Sequence, residues 1–402
     1  MPILFGVVLL DLVGFGIVIP ILPFLSPPLG ADKLDIALIV AIYAAAAGVS
    51  GIFWGRLSDR IGRKPVILLC LCGSVIAYIF LAMATSLWMV YAARAFAGLM
   101  AGNLGVASAM MADITRPADR ARGMALIGAA FGLGMILGPT IGGLLAHGSG
   151  NFTLPCLFAG GMSALAALAA AIWLPESHGA ARRAEHRVRR QREGRLSTGQ
   201  MLRRSGNRLF VFQYLLHNAC VSSGTYIFPL WVADLLGWSA REVGMVFGVQ
   251  GALMVVLQAG AMGTLVRVLG EWRLLRVTVS VFLCGFGLAV VAGGHAAAMV
   301  AALFLAMSGA TLCIPLLNSI ITQRSPQTDR GRVLGATSAA SSFGRVVGPA
   351  LSGLGLGLCG YAWTWALWAA VAALYLAWVL RESARAASMR PAGPDQGRTG
   401  RA

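Results

Sequence analysis

Apolar residues in this chain come in unbroken runs of about 20, with short polar or charged stretches between them. The runs fall at 3–24, 37–54, 66–84, 88–112, 123–146 and 152–174, then at 208–232, 243–264, 273–293, 296–322, 333–358 and 361–381. Each is long enough to cross the hydrocarbon core as a helix. The pattern predicts an all-α polytopic membrane protein with twelve transmembrane helices, six plus six. The first run lacks the basic flank and small-residue cleavage site of a signal peptide, so it is expected to stay as span 1.

The two sets of six are related by an internal repeat. Asp119-Arg120-Ala121-Arg122 leads to Gly134-xxx-Gly138-Pro139-xx-Gly142-Gly143, and Asp329-Arg330-Gly331-Arg332 leads to Gly344-xxx-Gly348-Pro349-xxx-Gly353. Asp119, Gly138 and Gly143 each recur 210 positions on. Leu174-Pro175-Glu176-Ser177 likewise returns as Leu380-Arg381-Glu382-Ser383. Six spans bring the chain back to its starting side, so both copies run in the same sense and imply a pseudo-twofold axis along the membrane normal. Duplications of this kind are typical of transporters, with the substrate path between the halves and alternating access as a rocking of one half on the other. The expected organisation is a six-helix bundle over 1–174, a basic cytoplasmic linker over 175–207, a second six-helix bundle over 208–381 and a cytoplasmic tail over 382–402.

Composition agrees with lipid as the solvent. The chain is 58% hydrophobic and 12% charged, with a mean hydropathy of +0.77; soluble domains carry about 25% charged residues. The net charge of +17 comes from 32 Lys and Arg, and nearly all sit in the even-numbered loops and the tail. Only Lys33 and Arg241 fall on the opposite side, and only Arg94 and Arg345 lie within spans away from their basic ends. That is the positive-inside asymmetry, and it places both termini in the cytoplasm. A nucleic-acid face would gather its charge on one folded surface, so no nucleic-acid partner is expected. All seven cysteines lie within spans and none is expected to form a disulfide. There is no phosphate loop for a nucleotide, no metal-ligand cluster and no nucleophile–base pair. The chain is therefore not read as an enzyme, and no cofactor or metal is expected. Without a nucleotide site, uphill work needs an ion gradient.

The segment after span 2 reads Gly55-Arg56-Leu57-Ser58-Asp59-Arg60-Ile61-Gly62-Arg63-Lys64-Pro65. Two glycines suit a tight reversal and the charges hold it at the cytoplasmic surface. This spacing resembles the signature loop of the major facilitator superfamily. The resemblance implies that Asp59 faces the start of span 11 and that Arg63 pairs with Asp113, making Gly55, Asp59, Arg60, Gly62, Arg63 and Asp113 a cytoplasmic gate. The second half keeps only Gly263, Leu265 and Gly270, with Arg267 at the Asp position, which points to gating in the first half. Glycines four apart let helices approach closely, and Pro139 bends its helix. The full run of Gly134, Gly138, Pro139, Gly142 and Gly143 resembles the antiporter signature of drug:proton exporters in that superfamily. In the second copy Ser352 replaces one glycine.

Asp11 is the one carboxylate well inside a span. A charge there costs roughly 2.5–3.5 kcal/mol or more, so it should face a cavity or exchange a proton. The run from Asp11 through Gly14, Gly16, Pro20 and Pro23 resembles span 1 of the tetracycline-exporter branch. Arg94, in Arg94-xxx-Gly98-xxx-Gly102, must pair or reach water; the segment resembles the family motif whose arginine is implicated in proton transfer, although Ala97 replaces its usual glutamine. A structural arginine tying span 4 to span 1 is an equal alternative. In the second half Gln213, His217 and Asn218, with Gln250, Asn318 and Arg345, form the candidate substrate cavity, each singly also open to a role in interhelical hydrogen bonding.

The resemblance implies a proton-coupled secondary transporter that exports a small amphipathic drug or antibiotic. Tetracycline exporters carry further acids in spans 3 and 9 and a histidine in span 8, where this chain has Ala77, a stretch near Cys284 and residues near Met254. Those departures count against tetracycline itself and favour a less charged substrate or a different drug. A proton-coupled sugar or metabolite transporter and a non-transporting membrane sensor are the alternatives. The expected partners are a small-molecule substrate, protons and the lipid bilayer, with a monomer in the cell inner membrane.

Overall fold

The computed structural model describes residues 1–116, 119–146, 152–177, 207–325 and 330–388. Most of the expected linker and the end of the tail lie outside the described residues. Ten helices precede the last one: α1 Pro2–Leu25, α2 Lys33–Ile61, α3 Arg63–Ala82, α4 Leu87–Ile114, α5 Arg120–Leu145, α6 Thr153–Trp173, α7 Arg208–Leu236, α8 Ala240–Leu269, α9 Glu271–Val291 and α10 Ala296–Arg324. No strand occurs among the described residues. The last helical stretch, Arg330–Ser388, is 59 residues long. At about 1.5 Å per residue it would far exceed a single crossing of about 30 Å. It is broken at Gly360, where φ is 76°. The two arms fold back on each other: the Trp368 indole donates to Ser352 Oγ at 2.9 Å, and a Cβ on Gly355 would stand 2.9 Å from Thr364 Oγ1. We label the arms α11 (330–359) and α12 (361–388), which makes twelve long helical elements from eleven apolar stretches among the described residues.

The 210-residue repeat has a direct structural meaning. In α5, Gly134 and Gly138 face α1: a Cβ on Gly138 would lie 2.5 Å from Gly16 Cα, and one on Gly134 would lie 2.6 Å from Leu12 Cβ. Their copies in α11, Gly344 and Gly348, face α7 at Leu215 and Ala219. Small residues here let the fifth helix of each half pack backbone to backbone on the first. The last shared glycine of each copy does something different. Gly143 packs on Gly244 of α8, where a Cβ would stand 3.0 Å from the Gly244 Cα. Gly353 packs on Ala37 of α2, at 2.5 Å from its Cβ. Each motif therefore seals its own half and then touches the other. Ser352 fits because its hydroxyl is used, donating to Gly348 O at 2.8 Å and accepting from Trp368.

The even-numbered helices that enter these cross-contacts begin alike. Asp32 caps α2 and Ser239 caps α8, each in a reciprocal box with Asp35 and Glu242 three residues on. These boxes satisfy the free amides of the first turn at the membrane end away from the basic loops. From there the α5–α8 seam runs through Gly244, Gly248 and Gly251 against Pro139, Thr140 and Ile136. It ends near Gly132, where a Cβ would meet Val255 at 2.8 Å. Just beyond, α8 widens into a π-turn over Val256–Ala261. Toward the basic end Gly128, Gly260, Gly263 and Gly335 each have open space where a side chain would go. Among the described residues the halves meet closely at the far end, and the glycine seam thins toward the basic end.

Candidate functional site

Asp11 sits inside the first six helices, and the site around it starts with a break in α4. Trp54 of α2 inserts against Gly102, and its indole donates to Leu99 O at 2.6 Å, taking a carbonyl that the interrupted helix leaves free. The helix restarts at Asn103, whose Oδ1 accepts from Leu104 N at 2.7 Å. That bond turns the amide so that Nδ2 donates to Asp11 Oδ2 at 2.5 Å. Ser163 of α6 donates to Asp11 Oδ1 at 3.2 Å. Both carboxyl oxygens are thus held, beside a small apolar cavity lined by Leu4, Val8, Ile67, Leu71, Leu104 and Ala107. Three residues on, Gly14 lets α6 approach: a Cβ there would stand 3.0 Å from Ala159 O. Neither Asn103 nor Ser163 was singled out from sequence. A lone asparagine in the apolar run of span 4 was the available signal.

Arg94 does not pair with Asp11 in this structure. Its side chain is buried, with the guanidinium 4.2 Å from the Tyr43 ring centroid, and Nε has no hydrogen-bond partner among the described residues. It ties α4 to α2, rather than to α1 as the structural alternative had it. Tyr43 is stacked on Phe15 of α1 at 5.5 Å, so the ring that carries Arg94 also packs beside the helix of Asp11.

At the basic end the expected tight reversal over 55–65 is mostly helix. α2 continues through Gly55 to Ile61, and only Gly62, at φ 113°, turns the chain. Helical hydrogen bonds persist because this last turn needs no reversal until the next span begins. Arg63 is buried and gathers the loop: Nη2 lies 2.9 Å from Asp59, Nε 3.3 Å from Asp113, and Nη1 donates to Ser58 Oγ at 2.5 Å. Arg60 is exposed on the last turn of α2. The side chains at the start of α11, which the resemblance sets against Asp59, lie outside the described residues. Glu176, beyond α6, accepts from Arg63 N at 2.9 Å and Lys64 N at 3.2 Å, a carboxylate cap on α3. In the second half Gln323 donates to Glu271 at 3.0 Å. These two stand 210 and 208 positions after Asp113 and Arg63, so an amide–carboxylate hydrogen bond replaces the ion pair.

The second-half candidates separate. Gln213 and His217 are 3% and 2% exposed and lie inside the second bundle, with His217 stacked on Phe282 at 5.6 Å and near Tyr375. Their helical stripe faces the interior of their own bundle, where aromatic packing takes it up. Gln250 is also buried, and neither side-chain polar atom has a partner among the described residues. Asn318 accepts from Tyr214 at 2.5 Å. Asn218 bridges to Ser341 Oγ of α11 at 3.1 Å. Arg345 is exposed, and its Nη2 donates to Ser342 Oγ at 3.2 Å.

A contact that sequence reading did not anticipate joins the halves at the far end. Lys33 Nζ lies 2.6 Å from Asp234 and 4.7 Å above the Tyr361 ring; the Tyr361 hydroxyl donates to Asp234 at 2.7 Å. Tyr226 donates to the Lys33 carbonyl. Lys33 opens α2, Asp234 closes α7 and Tyr361 opens α12, so one small cluster spans both halves. Among the described residues no group of three or more His, Cys, Asp or Glu side chains is placed to hold a metal.

The Major Facilitator Superfamily model matches residues 4–324 and 279–400. The class C tetracycline resistance protein of Escherichia coli is 30% identical over 391 residues, covering 93% of this chain and 94% of that protein. Multidrug resistance protein 2 of Bacillus subtilis is 26% identical, covering 85% and 84%. Among solved structures, a POT family transporter bound to 5-aminolevulinic acid superposes with a TM-score of 0.79 at 13% identity, covering 96% of each chain. The human organic anion transporter MFSD10 superposes at 0.70 with 23% identity, covering 94% and 98%.

Proposed function

The chain belongs to the major facilitator superfamily and is similar to its tetracycline and multidrug resistance members, and on that footing we propose that it is a proton-driven exporter of a small amphipathic drug in the bacterial inner membrane. It acts as a monomer, with both termini in the cytoplasm as the basic loops require. Residues 1–174 and 208–381 are then the two rocking units, joined by the basic linker. The seam that closes the far end and thins toward the basic end supports reading this arrangement as the form open toward the cytoplasm.

The observation that carries this reading is the setting of Asp11. It is the one carboxylate deep in a span, it is held on both oxygens by Asn103 and Ser163, and it sits on the helix that the Gly134–Gly138 face of α5 packs against. Protonation changes what the carboxyl can accept from those two donors and so bears directly on the α1–α5 and α1–α6 contacts. Arg94 over Tyr43, with Phe15 of α1 stacked on the same ring, links that site to α2. At the basic end Arg63 exchanges partners between Asp59 and Asp113 as the gate forms and parts, while Pro139 and the glycines of α5 let the seam with α8 bend.

Drug accumulation in inverted vesicles under an imposed ΔpH tests the reading. Wild type is expected to accumulate substrate only with the gradient. Asp11→Asn should abolish the ΔpH-dependent component, and Asp59→Asn should reduce it, both at normal expression. Gradient-driven accumulation that persists in Asp11→Asn removes this residue from coupling.

A further inference from the structure

Counting charges through the middle of the membrane gives an unexpected sign. Away from the helix ends the described spans hold Asp11, Arg94 and Arg345, with His217 sealed among aromatics. Asp11 is turned into the first six helices and occupied by Asn103 and Ser163. Arg94 is buried over Tyr43. Arg345 alone projects into open space. Its place on α11 is fixed by its neighbours. Gly344 packs backbone to backbone on α7, which turns the next residue away from that helix. Ser342, one turn earlier on the same face, meets α2, since a Cβ on Gly48 would stand 3.0 Å from Ser342 Cβ. Arg345 therefore faces the space between the halves, on the side of Tyr43. No carboxylate pairs with it among the described residues, and Ser342 is its one side-chain partner. An unpaired guanidinium at that depth must be met by water or by an anion, and an anion of the right shape can displace the water.

We infer that the cavity between the halves binds amphipathic anions, with Arg345 receiving a carboxylate or comparable acidic group and the apolar body lying toward Phe15 and Tyr43. This rests on the transport reading for its physiological meaning but not for its measurement. A guanidinium offers two parallel N–H donors that match a carboxylate, and a site half shielded from water strengthens that pair. The same cavity disfavours a cation, because Arg94 already lies over Tyr43, Arg345 brings a second positive charge to the space between the halves, and the only mid-membrane carboxylate is occupied elsewhere.

The test uses the full purified chain in detergent and three probes of one shape: 2-naphthoate, 2-naphthylmethanol and 2-naphthylmethylamine. Binding is read as saturable quenching of tryptophan fluorescence. The anion is expected to bind at least about tenfold more tightly than the alcohol, and the amine no better than the alcohol. Arg345→Gln should erase that preference while leaving the alcohol unchanged; Arg345→Lys should keep part of it. If Arg345→Gln is polydisperse, salt replaces it: near 1 M, where the screening length falls to about 3 Å, anion binding should weaken and alcohol binding should not. Equal affinities, a preference for the amine, no saturable binding, or a preference surviving Arg345→Gln overturns the proposal. Proton-driven export is judged separately by the vesicle assay. Gradient-driven flux without anion preference leaves export standing and removes the substrate class; anion preference without gradient dependence does the reverse.

Discussion

At the scale of single residues, the turn between α2 and α3 concentrates the most information in the fewest atoms. Gly62 needs a positive φ of 113°, which costs an L-residue roughly 1–2 kcal/mol, and its missing side chain leaves room for the Glu176 carboxylate. Glu176 in turn caps α3, an arrangement worth about 1 kcal/mol at an exposed helix start. Gly62→Ala is therefore expected to lower stability by more than Glu176→Ala, because it adds backbone strain and displaces the cap at once. The double variant should cost less than the two singles together, since the clash disappears when the carboxylate is gone. Thermal unfolding in detergent, followed by tryptophan fluorescence, measures all three. Strict additivity would mean that Gly62 and Glu176 do not share an interaction.

At the scale of elements, glycines that look equivalent in sequence separate by what they face. Gly128 and Gly138 both lie in α5, yet a Cβ at Gly128 meets nothing within 4 Å while one at Gly138 stands 2.5 Å from Gly16 Cα. Gly138→Ala should destabilise by about 1–3 kcal/mol through overpacking of two backbones. Gly128→Ala should instead be neutral or stabilise by up to about 1 kcal/mol through helix propensity. Melting temperatures moving in the same direction for both would contradict the α1–α5 seam. This contrast also marks what sequence could and could not reveal. Span lengths and the 210-residue repeat were legible because the bilayer sets one and duplication preserves the other. The arginine–acid pairing of Arg63 with Asp113 was legible through a motif of fixed spacing. The break in α4 was not, because Trp54 from another helix causes it, and with the break went Asn103 as the partner of Asp11. The π-turn in α8 was equally hidden, since Gln258 anchors it across to Thr311 O at 3.2 Å. Gln213 and His217 had the right period for a cavity wall, but a period says only that residues share a face, and packing chose which way that face looks.

At the scale of the whole molecule, the two ends of the membrane differ in how the halves meet. The far end is joined by the α5–α8 and α2–α11 glycine contacts and by the Lys33–Asp234–Tyr361 cluster; toward the basic end the seam opens past the π-turn. The glycine contacts set the shape of the closed end, and the cluster sets its ease of opening. Lys33 and Asp234 are 39% and 42% exposed, so water screens their attraction and the pair contributes at most about 1 kcal/mol. That is small for stability but large for a two-state balance, where it shifts populations by up to about fivefold. Asp234→Asn and Lys33→Ala should each favour the form open at the far end without lowering the melting temperature appreciably. A cysteine at Ala37, buried where α2 meets Gly353 of α11, reports that opening. In a background where the exposed Cys72, Cys284 and Cys359 are serine, maleimide added from the far side should label it faster in both variants than in wild type. Unchanged labelling would place the whole closure energy in the glycine seams and leave the ion pair as surface charge.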